Sequence, residues 1–171
     1  MSETIDPIEA ADLTSDLGAA LRALNNAHAV ELSWLDPPRF AHLVGQAFLA
    51  RHVGADALLI ALDHDADYDS PNFRWFRERY PRFVYVDRVV VAPSARGRGL
   101  AGRLYRDLFA AAEASGHARV VCEVNADPPN LASDAFHAAL GFEPVGSAVI
   151  HGGAKTVTYL ARPLAPKIAA V

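Results

Sequence analysis

The stretch from Arg82 to Leu108, RFVYVDRVVVAPSARGRGLAGRLYRDL, constrains this chain more than any other. Its opening, RFVYVDRVVVA, is dense in β-branched and aromatic residues and reads as the strongest strand in the sequence. Its end places Leu100, Leu104 and Leu108 at helical spacing, and Gly116 marks the stop of a helix running to about Ser115. The chain must turn from strand to helix across PSARGRG. Arg96, Arg98, Arg103 and Arg106 gather there around Gly97, Gly99 and Gly102. A helix start offers unpaired N–H groups and the positive end of the helix dipole. Glycines let a ligand approach that backbone closely, and arginines add charge-assisted bonds, so the corner suits a phosphate-bearing anion. The plain alternative is a solvated arginine face.

Net charge supports a local and not a global anion site. The 171 residues carry a formal charge of −4, yet Arg74 to Arg106 holds nine arginines against Glu78 and Asp87. Such a confined positive field suits a compact anion and argues against nucleic acid. The length fits one domain over residues 1–171 with a proper core. A lone cysteine, Cys122, allows no internal disulfide and fits a reducing compartment. The start, MSETIDPIEAADL, lacks a basic-then-apolar signal pattern, and no apolar run reaches the roughly 18 residues a membrane span needs. A cytoplasmic location without membrane attachment is expected.

Elsewhere the pattern alternates. SETIDPI reads as a short edge strand, and DLTSDLGAALRALNNAH as a helix capped near Thr14 or Ser15. DPPRFAHLVGQ reads as a second helix begun by a proline pair, and AFLARHV and ALLIALD as neighbouring strands, the latter central. HDADYDSPNFRWFRERYP is expected to be a long polar and aromatic connection. ARVVCEVN is a strand, LASDAFHAAL a short helix ended by Gly141, and EPVGSAVI–HGG–KTVTYLARPL a hairpin-like tail. The expected class is α/β, a mixed sheet covered by helices.

Two familiar phosphate loops are disfavoured. No G-x-x-x-x-G-K-[ST] occurs. GRGLAG does fit G-x-G-x-x-G, but the acid such a dinucleotide site wants some 20 positions on would be Glu123, which lies mid-strand. The better match is R-x-x-G-x-A, from Arg96, Gly99 and Ala101, after VYVDRVVVAP. Here the sequence resembles the GCN5-related N-acetyltransferase (GNAT) superfamily. NLASDAFHAALGFEPVG, Asn130 to Gly146, is similar to that family's closing segment, N-x-x-A-x-x-x-Y-x-x-x-G-F. The resemblance covers roughly Tyr80 to Gly146 and implies a mostly antiparallel sheet flanked by helices, in the order β-α-α-β-β-β-α-β-α-β-β.

The resemblance also implies acetyl-coenzyme A (acetyl-CoA) as co-substrate, with no metal. Arg96, Gly97, Arg98, Gly99, Leu100, Ala101 and Gly102 would hold its pyrophosphate, Val89, Val90 and Val91 would pair with the pantetheine arm, and Asn130 would contact its amides. Asn125, Ser133, Phe136 and His137 complete the expected cofactor set. Acyl transfer to an amine needs a proton acceptor. Glu123 and Asp87 both lie on strands where members of the family carry a base, and Asp87 could instead pair with Arg88. His137 stands where the family often has a tyrosine that protonates the departing thiolate, and could do so or merely line the channel. Direct attack in a ternary complex is expected, because no activated nucleophile is visible.

Acceptor contacts are expected from Asn26, from Tyr68, Asn72, Trp75 and Phe76, and from His151. The acceptor is a small-molecule or peptide amine of unspecified kind. A homodimer is allowed, since the edges of small sheets pair. Cys122, beside Glu123, points to the other sheet face and reads as core. The remaining histidines show no metal-ligand spacing, and DHDADYD lacks the glycine and distal glutamate of a calcium loop. The rival from another class is a module that binds coenzyme A as a sensor or scaffold, without turnover.

Overall fold

The computed structural model describes residues 3–165. Seven strands form a mixed, mostly antiparallel sheet in the order β1-β2-β3-β4-β5-β7-β6. The strands are β1 (Asp6–Pro7), β2 (Ala47–Val53), β3 (Ala57–Asp63), β4 (Val84–Val91), β5 (Arg119–Asp127), β6 (Glu143–Ile150) and β7 (Lys155–Pro163). The helices are α1 (Asp16–Asn26), α2 (Ala29–Leu32), α3 (Pro37–Gln46), α4 (Pro71–Arg77), α5 (Leu100–Ala114) and α6 (Leu131–Ala139). The expected course is present, with two short helices, α2 and α4, added to it.

Local chemistry sets most boundaries. Ser15 caps α1 by accepting from the Gly18 N–H, and Asp36 caps α3 by accepting from the Arg39 N–H at 2.8 Å, ahead of the proline pair. β3 is buried along Ala57–Leu62, as its unbroken apolar run requires. β1, with its proline, lies at the sheet edge. On α5 the residues Leu100, Leu104, Tyr105, Leu108 and Ala112 are buried, one face of a 3.6-residue period.

The connection from His64 to Pro81 is a correction to the sequence reading. Its composition reads as loop, yet α4 occupies its middle. Ser70 caps it through the Phe73 N–H, Pro71 sits in its first turn, and Asn72, Phe73 and Phe76 are buried. Four arginines among the aromatics, at Arg74, Arg77, Arg79 and Arg82, hide that apolar face from a pattern search.

The chain forms two compact units. Among the described residues, one is built from 3–62 together with Val86–Leu108, and the other from Asp63–Tyr85 together with 109–165. The first contains β1, β2 and the corner that follows β4. In the second, β4 joins β5 in parallel at Val84↔Val120 and Tyr85↔Val121, and β5, β7 and β6 pair antiparallel. Glu123 stands opposite Tyr159 in that register.

Candidate active site

In the first unit, β4 runs out through Val89, Val90 and Val91 into a single 3-10 turn, Pro93–Ala95. Arg96 to Gly99 are exposed, and α5 begins at Leu100. Gly97 and Gly99 have φ of +79° and +72°, the left-handed region that side chains disfavour. A Cβ built on either would meet nothing within 4 Å, so both backbones face open space. The first N–H groups of α5, from Leu100 to Gly102, have no partner within the helix. The Arg106 guanidinium lies beside Gly102, 3.6 Å from where a Cβ would stand. Bare amides, two left-handed glycines and guanidiniums form a donor set that fits a pyrophosphate.

That corner also carries its own acids. Arg98 forms an ion pair with Glu3 and lies 3.7 Å from Asp56, while Arg103 approaches the Glu3 carboxylate at 3.5 Å. The Arg96 guanidinium is 3.5 Å from His28 Nε2.

Asp87 lies in a buried polar chain. Its Oδ2 accepts from Arg88 Nε at 2.8 Å, with the two side chains 4% and 1% exposed. Arg88 Nη1 donates to Asn25 Oδ1 at 2.8 Å, and Asn25 Nδ2 donates to the Ser33 carbonyl at 2.9 Å. Asn26 clamps Leu35, donating to its carbonyl at 2.9 Å and accepting from its N–H at 2.8 Å. Asp87, Asn25 and Asn26 thus tie the end of α1 and the chain beyond α2 to β4.

The second unit holds the other carboxylate. Alternation along β5 buries Cys122 and turns Glu123 to the opposite face, where it is half-buried. Tyr85 OH donates to Glu123 at 2.8 Å from Oε2 and 3.0 Å from Oε1. Asn72 Nδ2 donates to Oε1 at 3.0 Å, and Asn72 Oδ1 accepts from Tyr159 OH at 2.9 Å. Burial, then the Glu123 charge, raises the Tyr159 phenol above its ordinary pKa, so it remains a donor. The order Tyr159–Asn72–Glu123–Tyr85 fixes the carboxylate from two sides.

Aromatic residues surround this network. Trp75 stacks on Tyr159 with centroids 4.1 Å apart, and the Arg79 guanidinium lies 3.9 Å from the Trp75 ring centroid. Tyr68 meets Phe73 edge-on at 5.8 Å and lies 6.4 Å from Tyr85. Phe76 is fully buried against Phe83, Tyr85 and Tyr159. Of the expected acceptor residues, Tyr68, Asn72, Trp75 and Phe76 therefore meet in this unit, as neighbours of Glu123 or of its partners. Asn26 belongs to the first unit, and His151 is exposed in the turn between β6 and β7.

Sequence reasoning did not single out Tyr85 and Tyr159. The signal for Tyr85 was its register: paired positions share a face, so Tyr85 opposite Val121 lies on the face that Glu123 occupies two residues on.

The sequence model of the acetyltransferase (GNAT) family matches residues 57–142, half of the chain, including the strand, the corner and both carboxylates. The chain belongs to the acetyltransferase (GNAT) family. An L-2,4-diaminobutyric acid acetyltransferase from Wolinella succinogenes is 35% identical over 69 residues, which span 40% of this chain and 40% of that relative. The fold matches the ribosomal-protein-S18-alanine N-acetyltransferase from Escherichia coli at 19% identity and a TM-score of 0.67, over 98% of this chain and 97% of that one. It also matches a chain of the NatC complex bound to Gag peptide and CoA, at 12% identity and a TM-score of 0.74, over 96% of this chain and 100% of that one.

In this GNAT chain the closing helix α6 is capped by Asn130, whose side chain accepts from the Ser133 N–H at 3.1 Å. Asn130 is exposed, while Ser133, Phe136 and, on β5, Asn125 are half-buried. His137 is buried, edge-on to Phe136 and Phe142 with centroids 5.3 Å away in each case. Its Nδ1 donates to the Ser133 carbonyl at 2.8 Å. Burial holds the imidazole below its ordinary pKa of 6.5, outweighing the opposite pull of the Ser133 carbonyl and Asp134.

Proposed function

We propose that this GNAT chain moves an acetyl group from acetyl-CoA to a primary amine of a small-molecule or peptide acceptor, by direct attack in a ternary complex. The observation that carries this reading is the corner after β4, where Gly97 and Gly99 leave the amides at the start of α5 bare beside arginines. Bound acetyl-CoA supplies an activated acyl thioester. Arg96 to Gly102 hold its pyrophosphate, Val89 to Val91 offer strand-edge bonds to its pantetheine arm, and Asn130, Asn125, Ser133 and Phe136 line that arm.

Glu123 is the base. The amine nitrogen would form the new C–N bond as the C–S bond breaks, with coenzyme A leaving as its thiolate, and Glu123 would take the proton that nitrogen must lose, directly or through water. The hydrogen bonds from Tyr85 and Asn72 support the assignment by holding the carboxylate in one orientation. Asp87 is assigned a structural role, because Arg88 engages it in the interior. His137 is assigned to the wall of the cofactor channel. Its buried, neutral imidazole directs its N–H to Ser133, away from a departing sulfur.

The test begins with thermal unfolding with and without acetyl-CoA, for the parent and for Arg96→Ala/Arg98→Ala. Ligand at 100 times its Kd adds about 2.7 kcal/mol of stability. A shift in the parent that the variant loses supports the cofactor assignment, and no shift at millimolar ligand overturns it. Amine-dependent thiol release follows, with L-2,4-diaminobutyrate as the first acceptor, since the partial relative from W. succinogenes bears that name. Glu123→Gln keeps the shape and should lower kcat by roughly 10² to 10⁴ with acetyl-CoA affinity unchanged. Binding without amine-dependent release, across a panel of amines, would favour the sensor reading.

A further inference from the structure

Three potential metal ligands meet in the second unit at a place that acyl transfer does not use. Asp63 ends β3, His64 follows it, and His117 lies in the turn between α5 and β5. His64 Nδ1 is 2.6 Å from Asp63 Oδ1, and His117 Nε2 is 3.4 Å from the same oxygen. All three ligand atoms lie within 4.8 Å of one another. The two rings meet edge-on with centroids 5.8 Å apart, and Phe83 lies edge-on to His64 at 6.2 Å.

We propose that Asp63, His64 and His117 form a binding site for a divalent transition-metal ion of the zinc type. Two imidazole nitrogens and one carboxylate oxygen are the ligand set such borderline ions prefer over calcium or magnesium. In a tetrahedral site with bonds of about 2.1 Å, ligand atoms stand about 3.4 Å apart, which lies within the spread found here. His117 is almost wholly buried and anchors the site from within, whereas the Asp63 and His64 side chains are 32% and 27% exposed. That exposure gives the ion a path in and leaves its remaining position to water.

The ion would brace the end of β3 to the turn that starts β5. Glu123 lies six residues beyond His117, roughly 20 Å at strand rise, so the brace is separate from the proton acceptor. Its consequence is stability of the second unit, independent of whether the chain transfers acyl groups.

The test uses the tag-free full chain, stripped with a chelator and titrated calorimetrically with zinc, alongside its Co²⁺ absorption spectrum. One zinc per chain is expected, with a raised unfolding temperature and cobalt bands of the intensity that four or five ligands give. His64→Ala and Asp63→Asn alter partly exposed side chains and should fold. Each should weaken zinc binding at least about tenfold, since even outer-shell partners contribute that much. His117→Ala removes the buried ligand and is read only if its circular dichroism matches the parent. Failure of the parent to bind zinc saturably at micromolar metal overturns the proposal. So does zinc affinity in His64→Ala and Asp63→Asn equal to that of the parent, which would place the metal at other histidines such as His42 or His151.

Discussion

At the scale of single residues, the two candidate carboxylates have different partners. Asp87 faces a buried guanidinium, and Glu123 faces a phenol and an amide. Removing one charge of a buried pair leaves the other uncompensated, at a cost of about 3–5 kcal/mol. Asp87→Asn should therefore lower the chemical-denaturation midpoint by that equivalent, and an unchanged midpoint would refute its structural role. His137 gives a pH dependence with a definite sign. Its native pKa lies below the 6.5 of an ordinary histidine, so between those values the unfolded chain binds a proton that the native chain refuses. Its contribution is intact above pH 6.5 and is lost as the pH falls through the native value. His137→Gln should flatten the fall in stability between neutral and acidic pH, as read by denaturation at several pH values.

Among elements, the contact between α4 and β6 is the most demanding. A Cβ on Gly146 would collide with Trp75 Cζ2, so the indole of α4 closes directly over the β6 backbone. Gly146→Ala must push Trp75 off its stack with Tyr159. Overpacking of this kind costs about 1–3 kcal/mol. The expected outcome is a lower melting temperature together with altered tryptophan fluorescence, and both unchanged would contradict the packing. One partner is legible in the sequence and the other is not. The β6–β7 hairpin is plain in EPVGSAVI–HGG–KTVTYLARPL, because strand alternation and turn glycines are local signals. Helix α4 is not, because its buried side carries only Asn72, Phe73 and Phe76, interrupted by Arg74 and Arg77.

For the molecule as a whole, the net charge of −4 conceals an internal contest. The arginine corner meets Glu3 and Asp56, distant in sequence, which oppose the charge of Arg98 and Arg103. An anionic ligand must displace or share those acids. Exposed pairs of this sort contribute at most about 1 kcal/mol. Glu3→Gln should thus tighten acetyl-CoA up to about fivefold, less so at high salt. Calorimetric titration of both proteins would show it, and equal affinities would remove Glu3 from the competition. Among the described residues, no helix is long and apolar enough to cross a membrane.

The sequence alone determined the strand–corner–helix passage, the buried central strand, the closing helix and hairpin, and the family they belong to. Each depends on a periodicity or a spacing within one or two dozen residues, which the backbone converts directly into shape. Tertiary structure decided what the side chains do. Arg88 could have turned to solvent, but Asn25, sixty-three positions away, draws it inward with Asp87. Tyr159 and Glu123, opposite each other in register, share Asn72 as a hydrogen-bond partner, on a helix hidden in a charged segment. Asp63 and His117 meet because the chain between them passes through β4 and α5 and returns. Such pairings depend on where long loops close, and no local pattern encodes that.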